Sequence, residues 1–129
     1  MYHLTALVTL LTALFYFLTA LNVAKVRGRT GVKVPAMSGH PDFERAFRIQ
    51  LNTLEWLPIF LPAMWLFAIY WNAAWAAGLG LLWLIGRVAY FVGYLSAPLK
   101  RYPGFFTQAV ATFALLLGAL GRVAYLALS

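Results

Sequence analysis

Glu44, Arg45, Arg48, Asn52 and Glu55 recur through the segment HPDFERAFRIQLNTLEWLPIFLP, His40 to Pro62, at spacings that suit one face of a helix. At about 100° per residue they fall within about a quarter of the circumference, so the polar side chains form a single stripe. The same helix runs directly into membrane-grade apolar sequence. An ionisable stripe entering a bilayer is costly unless it faces a partner, a watery cavity or a ligand, which makes it a functional-site candidate by default. A second set, Arg87, Tyr90 and Tyr94, is spaced i, i+3, i+7 and also shares a face, with Arg101 following just beyond. Cations outnumber anions in the combined group. That balance suits an anionic ligand carrying carboxylates, with an amine as an option.

The elements that must position these residues are membrane helices. The chain has 129 residues, 64% hydrophobic and only 10% charged, more apolar surface than a soluble domain of this size can hide. Its mean hydropathy is +0.81. Four stretches are long enough to cross a hydrocarbon core of about 30 Å: Leu4–Ala24, about Arg48–Tyr70, Ala73–Leu95 and Phe105–Leu128. The expected fold is therefore all-α, a single integral-membrane four-helix bundle over residues 1–129 with helices at about 4–24, 43–70, 73–95 and 105–128. Met1-Tyr2-His3 carries no basic n-region and the apolar run after it is too long for an h-region, so the first stretch reads as a retained helix.

The formal charge of +7 does not indicate a nucleic-acid partner, because the basic residues gather at helix ends and no recognition fold fits between the helices. Lys25, Arg27, Arg29 and Lys33 lie in the first loop, and Lys100 and Arg101 in the third; the turn at Trp71–Asn72 has none. The positive-inside rule then puts both basic loops in the cytoplasm and both termini on the other side. Short loops favour a prokaryotic inner membrane.

Within this scheme Lys25–Gly31 breaks helix one, Pro41 and a capping Asp42 start helix two, and Pro58 and Pro62 bend it, opening space beside the stripe. Helix three carries Gly78, Gly80, Gly86 and Gly93, the last two on one face, as close helix approach requires. Pro98, Pro103 and Gly104 mark the last loop, with Phe105 opening helix four. A tight hairpin at Trp71–Asn72 would lay the cytoplasmic halves of helices two and three side by side, so that Arg45, Arg48, Asn52 and Glu55 meet Arg87, Tyr90, Tyr94 and Arg101.

Blander readings exist for the members taken singly. Tyr90 and Tyr94 alone suit interfacial aromatics, Arg45 or Arg48 alone can snorkel, and Arg87 can be a structural ion-pair partner for Glu55. The combination at one depth on adjacent helices favours a ligand. Gln50 lies at the same depth but projects about 140° or more from the stripe's centre, so it faces either a polar interhelical neighbour or a second site formed with another subunit. Cysteine is absent, which removes disulfides, thiolate metal ligands and a cysteine nucleophile. His3 and His40 stand alone, so no metal site is expected, and no serine–histidine–acid arrangement is available.

The string FERAFRIQLNTLEWLPIFLPAMW resembles the helix-two signature of the membrane-associated proteins in eicosanoid and glutathione metabolism, which runs E-R-x-x-R-x-Q-x-N-x-x-E-x-x-P. RVAYFVGYLSAPLKRYPGF is similar to that family's helix-three end and following loop. The resemblance covers about Gly39 to Gly104 by motif and the rest by helix length and order. It implies a homotrimer in the membrane that binds glutathione, as co-substrate, between subunits. Carried over by position, Arg48, Asn52, Glu55, Tyr90 and Tyr94 match glutathione-binding positions of one subunit, Gln50 one from its neighbour, and Arg27 a neighbour's arginine at the end of helix one, with Lys25 or Arg29 as exchanges. Arg101 matches the arginine that activates the thiolate in the family's enzymes. Trp56 departs from a family tyrosine, and Pro103-Gly104 resembles the non-enzymatic branch, whereas Glu55 and Arg101 are of the enzyme type. The implied activity is a glutathione transferase, with glutathione-dependent peroxidase as an extension, acting in detoxification on hydrophobic electrophiles or lipids drawn from the surrounding membrane lipids. The alternatives are a non-catalytic lipid-binding scaffold of the same fold and a small multidrug exporter.

Overall fold

The computed structural model describes residues 1–129 as four long helices. They are α1 (His3–Thr30), α2 (Pro41–Tyr70), α3 (Ala73–Ser96) and α4 (Tyr102–Leu128), with a short 3-10 turn, Pro98–Arg101, between α3 and α4. All four are long and apolar enough to cross a membrane. Without water between the helices, packing rather than hydrophobic segregation must hold them together, and small residues set how closely they approach. On α1 the buried face runs Thr5, Val8, Thr12, Phe15, Thr19, Val23 and Val26, with the threonines recurring every seven residues up to Thr19 and apolar side chains between and after them. Phe60 of α2 stacks on Trp83 of α3 at the bundle centre, with ring centroids 4.0 Å apart and planes 3° from parallel. The hydroxyl of Thr9 accepts the Trp65 indole N–H at 2.9 Å, tying α1 to α2.

The expected α2–α3 hairpin is present. Asn72 caps α3 by accepting the Trp75 amide at 3.0 Å, and Trp71 donates its indole N–H to the Gly118 carbonyl of α4 at 2.7 Å. Gly86 packs its bare Cα against the backbone of Gly104 and Gln108, and Gly93 against Lys100, so these two glycines do share a face. A Cβ added at Gly78 would meet nothing within 4 Å, so Gly78 takes no part in helix approach within the subunit.

Several boundaries differ from the sequence expectation. α1 continues through the basic run to Thr30, and Gly31, at φ 77°, ends the helix with its N–H on the Arg27 carbonyl. His40, not Asp42, caps α2: its Nδ1 accepts the Asp42 amide at 3.1 Å, leaving Pro41 inside the first turn, where a missing N–H costs nothing. Pro103 and Gly104 also belong to a helix, the first turn of α4, and Gly104 is buried there against Gly86 and Tyr90. Pro58 and Pro62 lie within an α2 that is helical throughout; the hollow beside them, about 480 Å³, is apolar, is shared with Leu116, Ala119 and Leu120 of α4, and has no residue in common with the polar stripe.

Candidate functional site

At the end of the bundle that carries the basic loops, α2, α3 and the start of α4 enclose a cleft of about 250 Å³. Arg48 and Asn52 of α2, Tyr90 and Tyr94 of α3, and Arg101, Tyr102 and Phe105 line it. The hairpin fixes the shared depth of the α2 and α3 members. The 3-10 turn then folds Arg101 back over them, with its guanidinium 5.2 Å from the Tyr94 ring centroid and 4.5 Å from that of Tyr102. Arg101 also donates to the Tyr102 hydroxyl at 3.0 Å. Tyr90 is almost fully buried and meets Tyr94 edge-on at 5.5 Å, forming an aromatic wall with Phe105, which in turn meets Trp56 edge-on at 5.8 Å.

A second hollow of about 430 Å³ opens outward from the first, sharing Arg48 and Tyr94 and adding Glu44, Arg45 and Pro98. Arg48 is exposed and makes no hydrogen bond or ion pair within the chain, so its guanidinium is free to take a ligand. Arg45 is partly committed, donating to the Leu95 carbonyl at 3.2 Å and so closing the end of α3. Glu44 accepts the Gly39 amide at 3.2 Å and steadies the preceding loop. The combined space thus offers one uncommitted guanidinium on Arg48, partly engaged guanidiniums on Arg45 and Arg101, an amide and phenol hydroxyls, a set that matches carboxylate recognition by guanidinium.

Arg87 corrects one sequence expectation. It is fully buried beneath the cleft and has no carboxylate partner; it donates to Asn52 Oδ1 at 2.8 Å and Thr53 Oγ1 at 2.6 Å, and stacks 4.1 Å above the Tyr90 ring. The Glu55 ion pair does not form because α3 meets α2 on the side of Asn52 and Thr53. Glu55 lies about 60° around the helix from Asn52 and about 160° from Thr53, so its carboxylate is exposed outside the cleft. Arg87 therefore holds Asn52 and Tyr90 in place instead of neutralising Glu55.

Gln50 is half-buried on the opposite side of α2, has no hydrogen-bond partner and takes no part in the cleft. Arg27 turns back on its own loop, donating to the Ala36 carbonyl at 2.9 Å with its guanidinium 4.5 Å over the Phe43 ring. Tyr102, Phe105 and Thr53 were not singled out from the sequence. Tyr102 and Phe105 are spaced i, i+3 directly after Arg101, a signal hidden by reading Pro103-Gly104 as loop; Thr53 could have been found by asking which hydroxyl next to Asn52 satisfies a buried arginine.

The family model for MAPEG matches residues 5–121. The chain belongs to the MAPEG family. Among its relatives are human microsomal glutathione S-transferase 2, 42% identical over 92% of this chain and 81% of the relative, and guinea-pig leukotriene C4 synthase, 37% identical over 95% and 82%. An uncharacterized protein of the cyanobacterium Synechocystis is 46% identical over 89% of this chain and 84% of its own length. This chain thus falls in a family whose members include a microsomal glutathione S-transferase and a leukotriene C4 synthase.

Proposed function

We propose that this MAPEG protein is an integral-membrane glutathione transferase that conjugates glutathione to hydrophobic electrophiles. The observation that carries the reading is the convergence of Arg48, Asn52, Tyr90, Tyr94 and Arg101 on one cleft at the basic end of the bundle. Arg48 would pair with a glutathione carboxylate and Asn52 and the tyrosine hydroxyls would complete the polar shell, while Glu55, exposed outside the cleft, would be at most a secondary contact for the ammonium. Arg101 lines the same cleft, and its guanidinium would face the thiol. A fixed positive charge lowers a thiol's pKa by favouring the thiolate, which is the nucleophile. The thiol proton passes to solvent, the sulfur bonds to the electrophilic carbon, and the leaving group departs with its electron pair. An apolar electrophile enters from the bilayer, and holding it beside the thiolate supplies the proximity contribution.

Neither Gln50 nor Arg27 lines its own subunit's cleft, and Arg27 rests against the Ala36 carbonyl and the Phe43 ring of its own chain. In a homotrimer they would serve the neighbour's, which gives the two faces of α2 separate roles. The test is isothermal titration of purified protein with glutathione, comparing wild type with Arg48→Ala. A tenfold or greater loss of affinity is expected, since a charge-assisted hydrogen bond contributes about 1.5–3 kcal/mol; an unchanged affinity would remove the cleft from consideration.

A further inference from the structure

The cleft leaves unexplained the basic residues on the other side of the same end of the bundle. There Asn22, Lys25 and Arg29 of α1, Asp42 and Arg45 of α2 and Leu95 of α3 line a separate hollow of about 380 Å³. It shares only Arg45 with the outer part of the cleft. Three cations face one carboxylate, an excess of two positive charges. Asp42 is already engaged by Arg29 at 3.4 Å, and Arg45 directs one N–H to the Leu95 carbonyl at 3.2 Å. Lys25 is exposed and has no hydrogen-bond or ion-pair partner in the chain.

Position along the membrane normal narrows the occupant. At 1.5 Å per residue the α1 segment from Leu4 to Asn22 is about 27 Å long, close to the roughly 30 Å hydrocarbon thickness. Lys25 and Arg29 therefore lie in the headgroup layer. Directly below them Leu18 of α1, about 20° around the helix from Lys25, is exposed, as are Val88 and Val92 of α3 beneath Leu95. α1 and α3 pack directly against each other, so these apolar side chains border the seam beneath the hollow. Arg27 lies about 160° around α1 from Lys25, which keeps the hollow clear of the subunit boundary proposed above.

We propose that this hollow binds the phosphate of an anionic lipid headgroup, with the acyl chains lying over Leu18, Val88 and Val92. Lys25, Arg29 and Arg45 contact the phosphate oxygens, and Asn22 and Asp42 suit the ester and hydroxyl groups of a glycerol headgroup. Basic pockets between membrane helices at this depth are suited to such ligands. The test titrates purified full-length protein in neutral detergent with phosphatidylglycerol, phosphatidylcholine and glycerol 3-phosphate, and follows thermal unfolding. Phosphatidylglycerol is expected to raise Tm saturably, with phosphatidylcholine and glycerol 3-phosphate giving no shift at the same concentrations. Lys25→Gln should raise the half-saturating phosphatidylglycerol concentration by roughly fivefold, the factor for one lysine at an anionic surface; Lys100→Gln, an exposed lysine outside the hollow, should leave it unchanged. An equal response to phosphatidylcholine or to glycerol 3-phosphate, an unshifted Lys25→Gln curve, or an equal shift in Lys100→Gln would overturn the proposal.

Discussion

Replacing Gly86 with alanine tests the contact that sets the width of the cleft. A Cβ at Gly86 would lie 2.7 Å from the Gln108 amide nitrogen, 2.9 Å from the Gly104 carbonyl oxygen and 3.1 Å from Thr107 Cβ. Ordinary contact begins at 3.4 Å, so α3 and α4 must separate by about 0.7 Å, and two of the opposing atoms are backbone, which cannot swing aside. The cleft lies one turn further along this seam, with Tyr90 on α3 and Phe105 on α4. Overpacking of this kind costs about 1–3 kcal/mol, against which alanine gains about 1 kcal/mol of helix propensity. Gly78→Ala on the same helix has open space around it and retains only the gain. The difference between the two variants in detergent thermal unfolding isolates the packing cost, and Gly86→Ala should be the less stable. A displacement approaching 1 Å between reacting groups reduces rate by up to about 10²-fold, so conjugation of glutathione to an aryl halide should fall at least tenfold in Gly86→Ala and stay at wild-type level in Gly78→Ala. Equal stability of the two variants would refute the close α3–α4 contact; an unstable but fully active Gly86→Ala would refute its control of the cleft.

Arg87→Met removes the donor that holds Asn52 Oδ1 at 2.8 Å, and glutathione affinity measured by calorimetry should fall about tenfold, the equivalent of about 1.5 kcal/mol for one charge-assisted hydrogen bond. Glu55→Gln should weaken glutathione binding less than Arg48→Ala, because Glu55 lies outside the cleft that Arg48 lines; the reverse order would place the ligand against Glu55 and outside the cleft. Trp65→Phe and Thr9→Val each break the 2.9 Å indole–hydroxyl bond between α1 and α2, and a double-mutant cycle read by unfolding should show coupling of about 1 kcal/mol.

Helix number, the Trp71–Asn72 hairpin and the meeting of Arg48, Asn52, Tyr90, Tyr94 and Arg101 were legible in the sequence, because 3.6-residue periodicity and a tight turn together fix both face and depth. The azimuth at which α3 meets α2 was not. It depends on the Phe60–Trp83 stack and on which hydroxyl satisfies Arg87, and it decided that Glu55 would be left outside while Thr53 came in. The start of α4 was misread for a related reason. Pro103-Gly104 has the composition of a turn, yet proline is tolerated in a helix's first turn and this glycine is required by the approach of Gly86. The length of α1 was underestimated because Gly28 looks like a breaker in one dimension, whereas a helix already held by packing tolerates it.

The most direct test of the central claim is the ultraviolet difference spectrum of glutathione bound near neutral pH, recorded for wild type and Arg101→Ala alongside aryl-halide turnover. Wild type should show the thiolate band and conjugate glutathione. Arg101→Ala should still bind glutathione through Arg48 and Asn52 while losing both band and turnover. A wild-type protein that binds glutathione only as the thiol and turns nothing over, or an Arg101→Ala variant with an undiminished thiolate band, would contradict it.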